Sequence, residues 1–108
     1  MNKIRAIVKH PTEPFGHMIS LDNDLNTFQR IVGGYIETVT LSEGLVMICN
    51  EEGVLLKLAR NCFVRQKLGY VNIWHDVLGT IVVVGAKEDD FTDVPITLQE
   101  WQEHYLRR

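Results

Sequence analysis

Two apolar, β-branched runs at residues 35–41 and 45–49 are separated only by Ser42-Glu43-Gly44. Three residues are too few for the crossover that parallel neighbours need, so the two runs must pair as an antiparallel hairpin. Glycine in third place suits the left-handed bulge residue of such a loop. The middle of the chain is thereby committed to an antiparallel sheet, and the flanking segments are read by what they can add to it.

On the N-terminal side, Ile4, Ala6 and Val8 alternate with Lys3, Arg5 and Lys9, the pattern of a strand with one buried face. Pro11, Pro14 and Gly16 mark a long loop, after which residues 17–21 resume a short alternation, so a hairpin is expected. Asp22 or Asn23 is placed to cap a helix whose apolar residues Leu25, Phe28, Ile31 and Val32 form one stripe, ended by Gly33-Gly34.

Beyond the central hairpin, Asn50-Glu51-Glu52-Gly53 is a turn signal, and residues 54–58 read as a returning strand. Residues 59–78 show no clear period and read as an irregular basic insertion. The continuous run Thr80-Ile81-Val82-Val83-Val84, closed by Gly85, is that of a strand covered on both faces. After an acidic loop at residues 88–93, Thr97-Leu98-Gln99-Glu100 has capping-box spacing and opens a final helix. Leu98, Trp101, Tyr105 and Leu106 supply its apolar stripe, and Arg107 and Arg108 complement its negative end.

These readings give an α+β fold: one domain over residues 1–108, an antiparallel-rich sheet of about five or six strands, one internal helix and one C-terminal helix. A chain of 108 residues that is 45% hydrophobic and 23% charged is long enough for one ordinary core and no more. A net charge of -3 disfavours a general duplex binder, whose affinity rests on cation–phosphate contacts. No apolar run approaches the roughly 20 residues that cross a bilayer, and the N-terminus has no signal-peptide pattern, so no membrane association and a cytoplasmic location are expected.

No catalytic constellation is evident, and the expectation is a protein that is not an enzyme, with no metal and no cofactor. His10, His17, His75 and His104 match no recognised zinc spacing. Cys49 shares its side of a strand with Leu45 and Met47 and reads as a small buried hydrophobe, whereas Cys62 has Arg60 and Arg65 nearby, which can lower a thiol pKa. Neither belongs to a Cys-x-x-Cys pair, so both are expected to be reduced. Gly33-Gly34 follows a helix where a phosphate loop would open one. The surface of interest combines cations, amides and aromatics: Arg60, Asn61, Arg65, Lys67, Trp74 and His75, with Lys57 and Tyr70 beside them. Guanidinium groups there can take phosphate oxygens while an aromatic face stacks on a base. A solvated loop with Phe63, Tyr70 and Trp74 partly in the core accounts for the same residues.

The landmarks Gly33-Gly34-Tyr35-Ile36-Glu37, Cys49-Asn50-Glu51-Glu52-Gly53 and Gly79-Thr80-Ile81-Val82-Val83-Val84-Gly85, then Glu88-Asp89-Asp90-Phe91 and a short helix, resemble in their order a small uncharacterised family (domain of unknown function 3846). The resemblance implies an accessory protein of a phage, plasmid or other mobile element, and it implies no reaction. The expected function is therefore non-enzymatic binding in counter-defence, by sequestering a nucleotide signal or masking a host protein. The alternative is a structural or regulatory interaction module without a small-molecule ligand. Partners in keeping with these are a nucleotide-like small molecule, a host defence protein or a second copy of the chain, with nucleic acid disfavoured.

Overall fold

The structure, a computed structural model that describes residues 2–108, begins with the hairpin of β1 (Lys3–Lys9) and β2 (His17–Asp22); Met1 lies outside the described residues. Helix α1 (Leu25–Val32) leads to the central hairpin, β3 (Ile36–Ser42) and β4 (Leu45–Asn50), and a third hairpin follows, β5 (Arg60–Leu68) and β6 (Val71–Leu78). Then come β7 (Ile81–Lys87), a short β8 (Asp90–Thr92), helix α2 (Leu98–Glu100), a π-helical turn (Trp101–Tyr105) and β9 (Leu106–Arg107). One sheet runs β2-β1-β7-β4-β3 with β8 added along β7, and a second runs β6-β5-β9. Every pairing is antiparallel. The α+β fold with a six-stranded antiparallel sheet, an internal helix and a C-terminal helix is as the sequence predicts; the separate three-stranded sheet is additional.

Strand alternation splits the apolar residues into two cores. Ile4, Ala6, Val8, Val46, Ile48, Val82 and Val84 face α1 through Phe28 and Val32. Ile7, Leu45, Met47, Ile81 and Val83 face the opposite way, onto Cys62, Val64 and Val77 of the second sheet and onto Trp101. The six-stranded sheet is thus the middle of three layers, and its central strands have no solvent face to keep polar. This corrects the one-sided reading of β1: Ile7 is fully buried and Lys9 is 1% exposed, because the second sheet covers the face that was expected to meet water.

Helix α1 is capped by Asp24, one or two residues later than expected. The Asp24 carboxylate accepts the Thr27 N–H at 2.8 Å, and Asn23 instead donates to Asp90 and to the Phe91 carbonyl. At the other end Gly33 adopts φ 82° and donates its N–H to the Gln29 carbonyl, the left-handed closure its type permits.

Three expectations fail for topological reasons. Residues 54–58 form no strand: both edges of β4 are already taken, by β3 and β7, so the chain leaves the sheet in consecutive turns closed by Leu56 N–H to Glu52 O and Leu58 N–H to Gly53 O. The stretch 59–78 is not irregular but holds the two longest strands, β5 and β6. Its period of two is masked because Phe63 and Trp74 point outward while Gln66 and His75 point inward, where Gln66 bonds Thr40 O and His75. Finally, Leu106 and Arg107 are strand, not helix: the open edge of β5 pairs with them at Val64 and Phe63. The capping box at Thr97 and Glu100 is present as expected.

Candidate functional site

Direct cross-strand partners share a face, so register assigns each suspected ligand-binding residue. Arg65 lies opposite Trp74, Lys67 opposite Asn72, and Phe63 opposite both Asp76 and Arg107. These residues form the outer face of the second sheet, away from the core, and Arg60 joins them through its bond to Asp76 at 3.1 Å. His75, opposite buried Val64, lies on the inner face. Asn61 is the extra residue of a bulge between Arg60 and Cys62, and its side chain turns inward. The six residues therefore do not converge: Arg60, Arg65, Lys67 and Trp74 share a surface, whereas Asn61 and His75 do not.

On that surface two guanidinium groups lie over the Trp74 ring, Arg107 at 4.2 Å and Arg65 at 5.9 Å from its centroid. Arg65 is further held by its Nε–H donating to Asn72 at 2.8 Å, and Arg60 lies 5.6 Å from the Phe63 centroid. Such contacts orient the guanidinium planes and leave their outer N–H groups free to meet an acceptor. Arg60, Arg65, Lys67 and Arg107 are set against a single acidic residue in the three strands, Asp76. The Arg60–Asp76 pair is exposed on both sides and is worth at most about 1 kcal/mol. At one end of the face, Arg60, Phe63, Asp76 and Arg108 line a cavity of about 310 Å³.

Asn61 has a structural task. Its amide donates to Lys9 O at 2.9 Å and Gly79 O at 2.8 Å, and its oxygen accepts from the buried Lys9 ammonium at 2.6 Å. It joins β1, the β6–β7 connection and β5, which leaves none of its side-chain polar groups for a ligand in the same plane as Arg65. Arg107 is the residue that sequence reasoning missed, because it was assigned to a helix end.

A cleft of about 580 Å³ lies between the β3–β4 hairpin, the 51–55 turn and β6. Glu37, Glu51 and Glu52 line it and no lysine or arginine does, so it repels phosphate. Val54, Leu55 and Leu56 stand beside it at 81%, 74% and 50% exposure. By contrast Trp101 is fully buried and donates its Nε1–H to Phe15 O at 2.9 Å, so it offers nothing to a partner.

Both cysteines are free thiols. Burial pushes the Cys49 thiol up to about 11, with the Glu37 charge adding to it. Burial does the same for Cys62, also to about 11, where Lys9 opposes the rise and Asp76 adds to it. The arginines flanking Cys62 in sequence do not activate it: they point to the outer face, and the sulfur points inward.

Among the described residues no helix is long and apolar enough to cross a membrane. The family described as "Domain of unknown function (DUF3846)" matches residues 4–106. No curated protein and no solved structure matches the chain.

Proposed function

The chain belongs to the DUF3846 family, and we propose that it is a non-enzymatic cytoplasmic binding protein that holds a nucleotide-like ligand on the outer face of its second sheet. The observation that carries this reading is the Arg65–Trp74–Arg107 cluster on a surface with four permanent cations and one carboxylate. Guanidinium forks take phosphate oxygens in pairs, and guanidinium planes and aromatic rings both stack on bases. An open face encloses a small ligand on one side only, so a second copy laid across it completes the site in this proposal. Held in this way, a nucleotide signal is withdrawn from a host pathway, in keeping with the counter-defence role implied by the resemblance to mobile-element proteins.

The test is native mass spectrometry and calorimetry of the purified chain against a panel of mono-, di- and cyclic dinucleotides. At least one is expected to bind at micromolar Kd or tighter, and Arg65→Ala with Arg107→Ala is expected to weaken it more than tenfold while leaving the circular dichroism unchanged. No retention across the panel overturns the proposal.

A second reading rests on the acidic cleft and its exposed Val54, Leu55 and Leu56, which suit a protein segment carrying lysines and apolar residues. Leu55→Asp, at a position 74% exposed, abolishes such capture without touching nucleotide binding, so the two readings separate.

A further inference from the structure

The β1–β2 loop brings together two imidazoles and a carboxylate from a stretch that matches no metal motif in sequence. One ring nitrogen each of His10 and His17 and one carboxylate oxygen of Glu13 lie within 4.8 Å of one another. The His10 and His17 rings are 5.8 Å apart, inclined at 33°, and His17 Nδ1 stands 3.0 Å from Glu13 Oε2. From this geometry we infer a divalent transition-metal site, His10–Glu13–His17, of the zinc class, with its fourth position open to solvent or to a ligand.

The donor set fits that chemistry. Two neutral imidazoles and one carboxylate bind zinc at roughly 2.0–2.2 Å, which puts tetrahedral donors about 3.3 Å apart. The Glu13–His17 pair already stands close to that spacing, and the His10 donor lies within 4.8 Å of both. Imidazole nitrogen favours zinc and its neighbours in the first transition row, whereas magnesium and calcium require oxygen donors that this loop does not assemble.

The loop is also built to hold the cluster without metal. Glu13 N–H donates to His10 O, and His10 N–H donates back to Glu13 Oε1 at 2.8 Å, so the first two donors are fixed relative to each other by the chain itself. His10 Nδ1 lies 2.9 Å from Thr80 Oγ1, a partner that orients the ring and leaves Nε2 free, as outer partners do at metal sites. Farther along, Phe15 O accepts the indole N–H of buried Trp101. Gly16 has φ 93°, and a Cβ there would stand 2.9 Å from Val8 O, so only glycine lets the loop lie this close to β1. The His17 and Glu13 side chains remain 42% and 25% exposed, so an ion has a path in.

The experiment is titration of the chelator-stripped full chain with zinc chloride, followed by calorimetry and by thermal melting. One equivalent is expected to bind at micromolar Kd or tighter, raising Tm by roughly 10 °C once zinc exceeds Kd a hundredfold. His17→Ala and Glu13→Gln are expected each to lose at least tenfold in affinity. Cobalt(II) in place of zinc is expected to give visible bands without a thiolate charge-transfer band, which separates this site from one using Cys49 or Cys62 and reads the donor set without any variant. Binding weaker than millimolar, binding undiminished in both variants, or a thiolate band each overturns the assignment.

Discussion

Asn61→Ala separates a ligand residue from a structural one, and its cost can be worked out from contacts. Asn61 makes two amide hydrogen bonds to backbone carbonyls of Lys9 and Gly79 and accepts one from the Lys9 ammonium. Lys9 is 1% exposed; among the described residues no carboxylate lies within ion-pair distance of it, and its other contact is His10 O at 3.3 Å. Neutral hydrogen bonds contribute about 1 kcal/mol each and one to a buried charge about 1.5–3, so the substitution is expected to cost about 3–5 kcal/mol. That is a large share of the 5–15 kcal/mol typical of a whole domain, marked roughly by that range. With a urea m value near 1.5 kcal/mol/M, the midpoint falls by roughly 2–3 M. A double-mutant cycle with Lys9→Met isolates the charged bond. In that background Asn61→Ala removes only the carbonyl contacts, about 2 kcal/mol, so a coupling of about 1.5–3 kcal/mol is expected. A loss below about 1 kcal/mol for Asn61→Ala, or strict additivity in the cycle, refutes the view of Asn61 as the clamp on buried Lys9.

Three further outcomes are expected. Trp101→Phe keeps most of the buried ring but orphans Phe15 O, and is expected to cost about 1–3 kcal/mol in chemical denaturation; no loss would show that the indole N–H does not secure the 10–17 loop. Both thiols are raised from 9.0 to about 11, so the unfolded chain deprotonates first and stability falls as pH climbs between those values; Cys49→Ala with Cys62→Ala should flatten that fall in urea melts at stepped alkaline pH. For the same reason a disulfide-exchange reagent at pH 8 should react slowly with Cys62 in the native protein and quickly in urea, and rapid native labelling of Cys62 would contradict the burial of its sulfur.

Several elements were legible because local chemistry alone dictates them. The hairpin at Ser42-Glu43-Gly44, the Gly33 closure of α1 and the Thr97–Glu100 box each depend on residues a few positions apart, and each is found, although the hairpin loop is two residues, Glu43-Gly44, and its bulge falls between Thr40 and Ser42 rather than at Gly44. The 59–78 hairpin was illegible because its inward and outward polarity is set by what the second sheet covers. Gln66 is inward only because Thr40 O lies beneath it, and Trp74 is outward only because Arg65 and Arg107 clothe it. The same limit applied to the sites. Arg65 and Trp74, nine residues apart, could be suspected from composition, but Arg107 reaches them only through β9 pairing with β5; His10, Glu13 and His17 are close in sequence, and their loop is tied down by Thr80 and by Trp101.

By itself, then, the sequence determined an antiparallel α+β fold, its first two hairpins, the Gly33 end of α1 and the capped start of α2, since turn geometry and alternation are short-range properties. Tertiary structure alone decided which strands have two buried faces and which cations share a surface. The physical reason is that burial and electrostatic proximity depend on the layer packed opposite a residue, and in this chain that layer comes from segments distant in sequence, 26 residues away for Gln66 and Thr40 and 86 for Trp101 and Phe15.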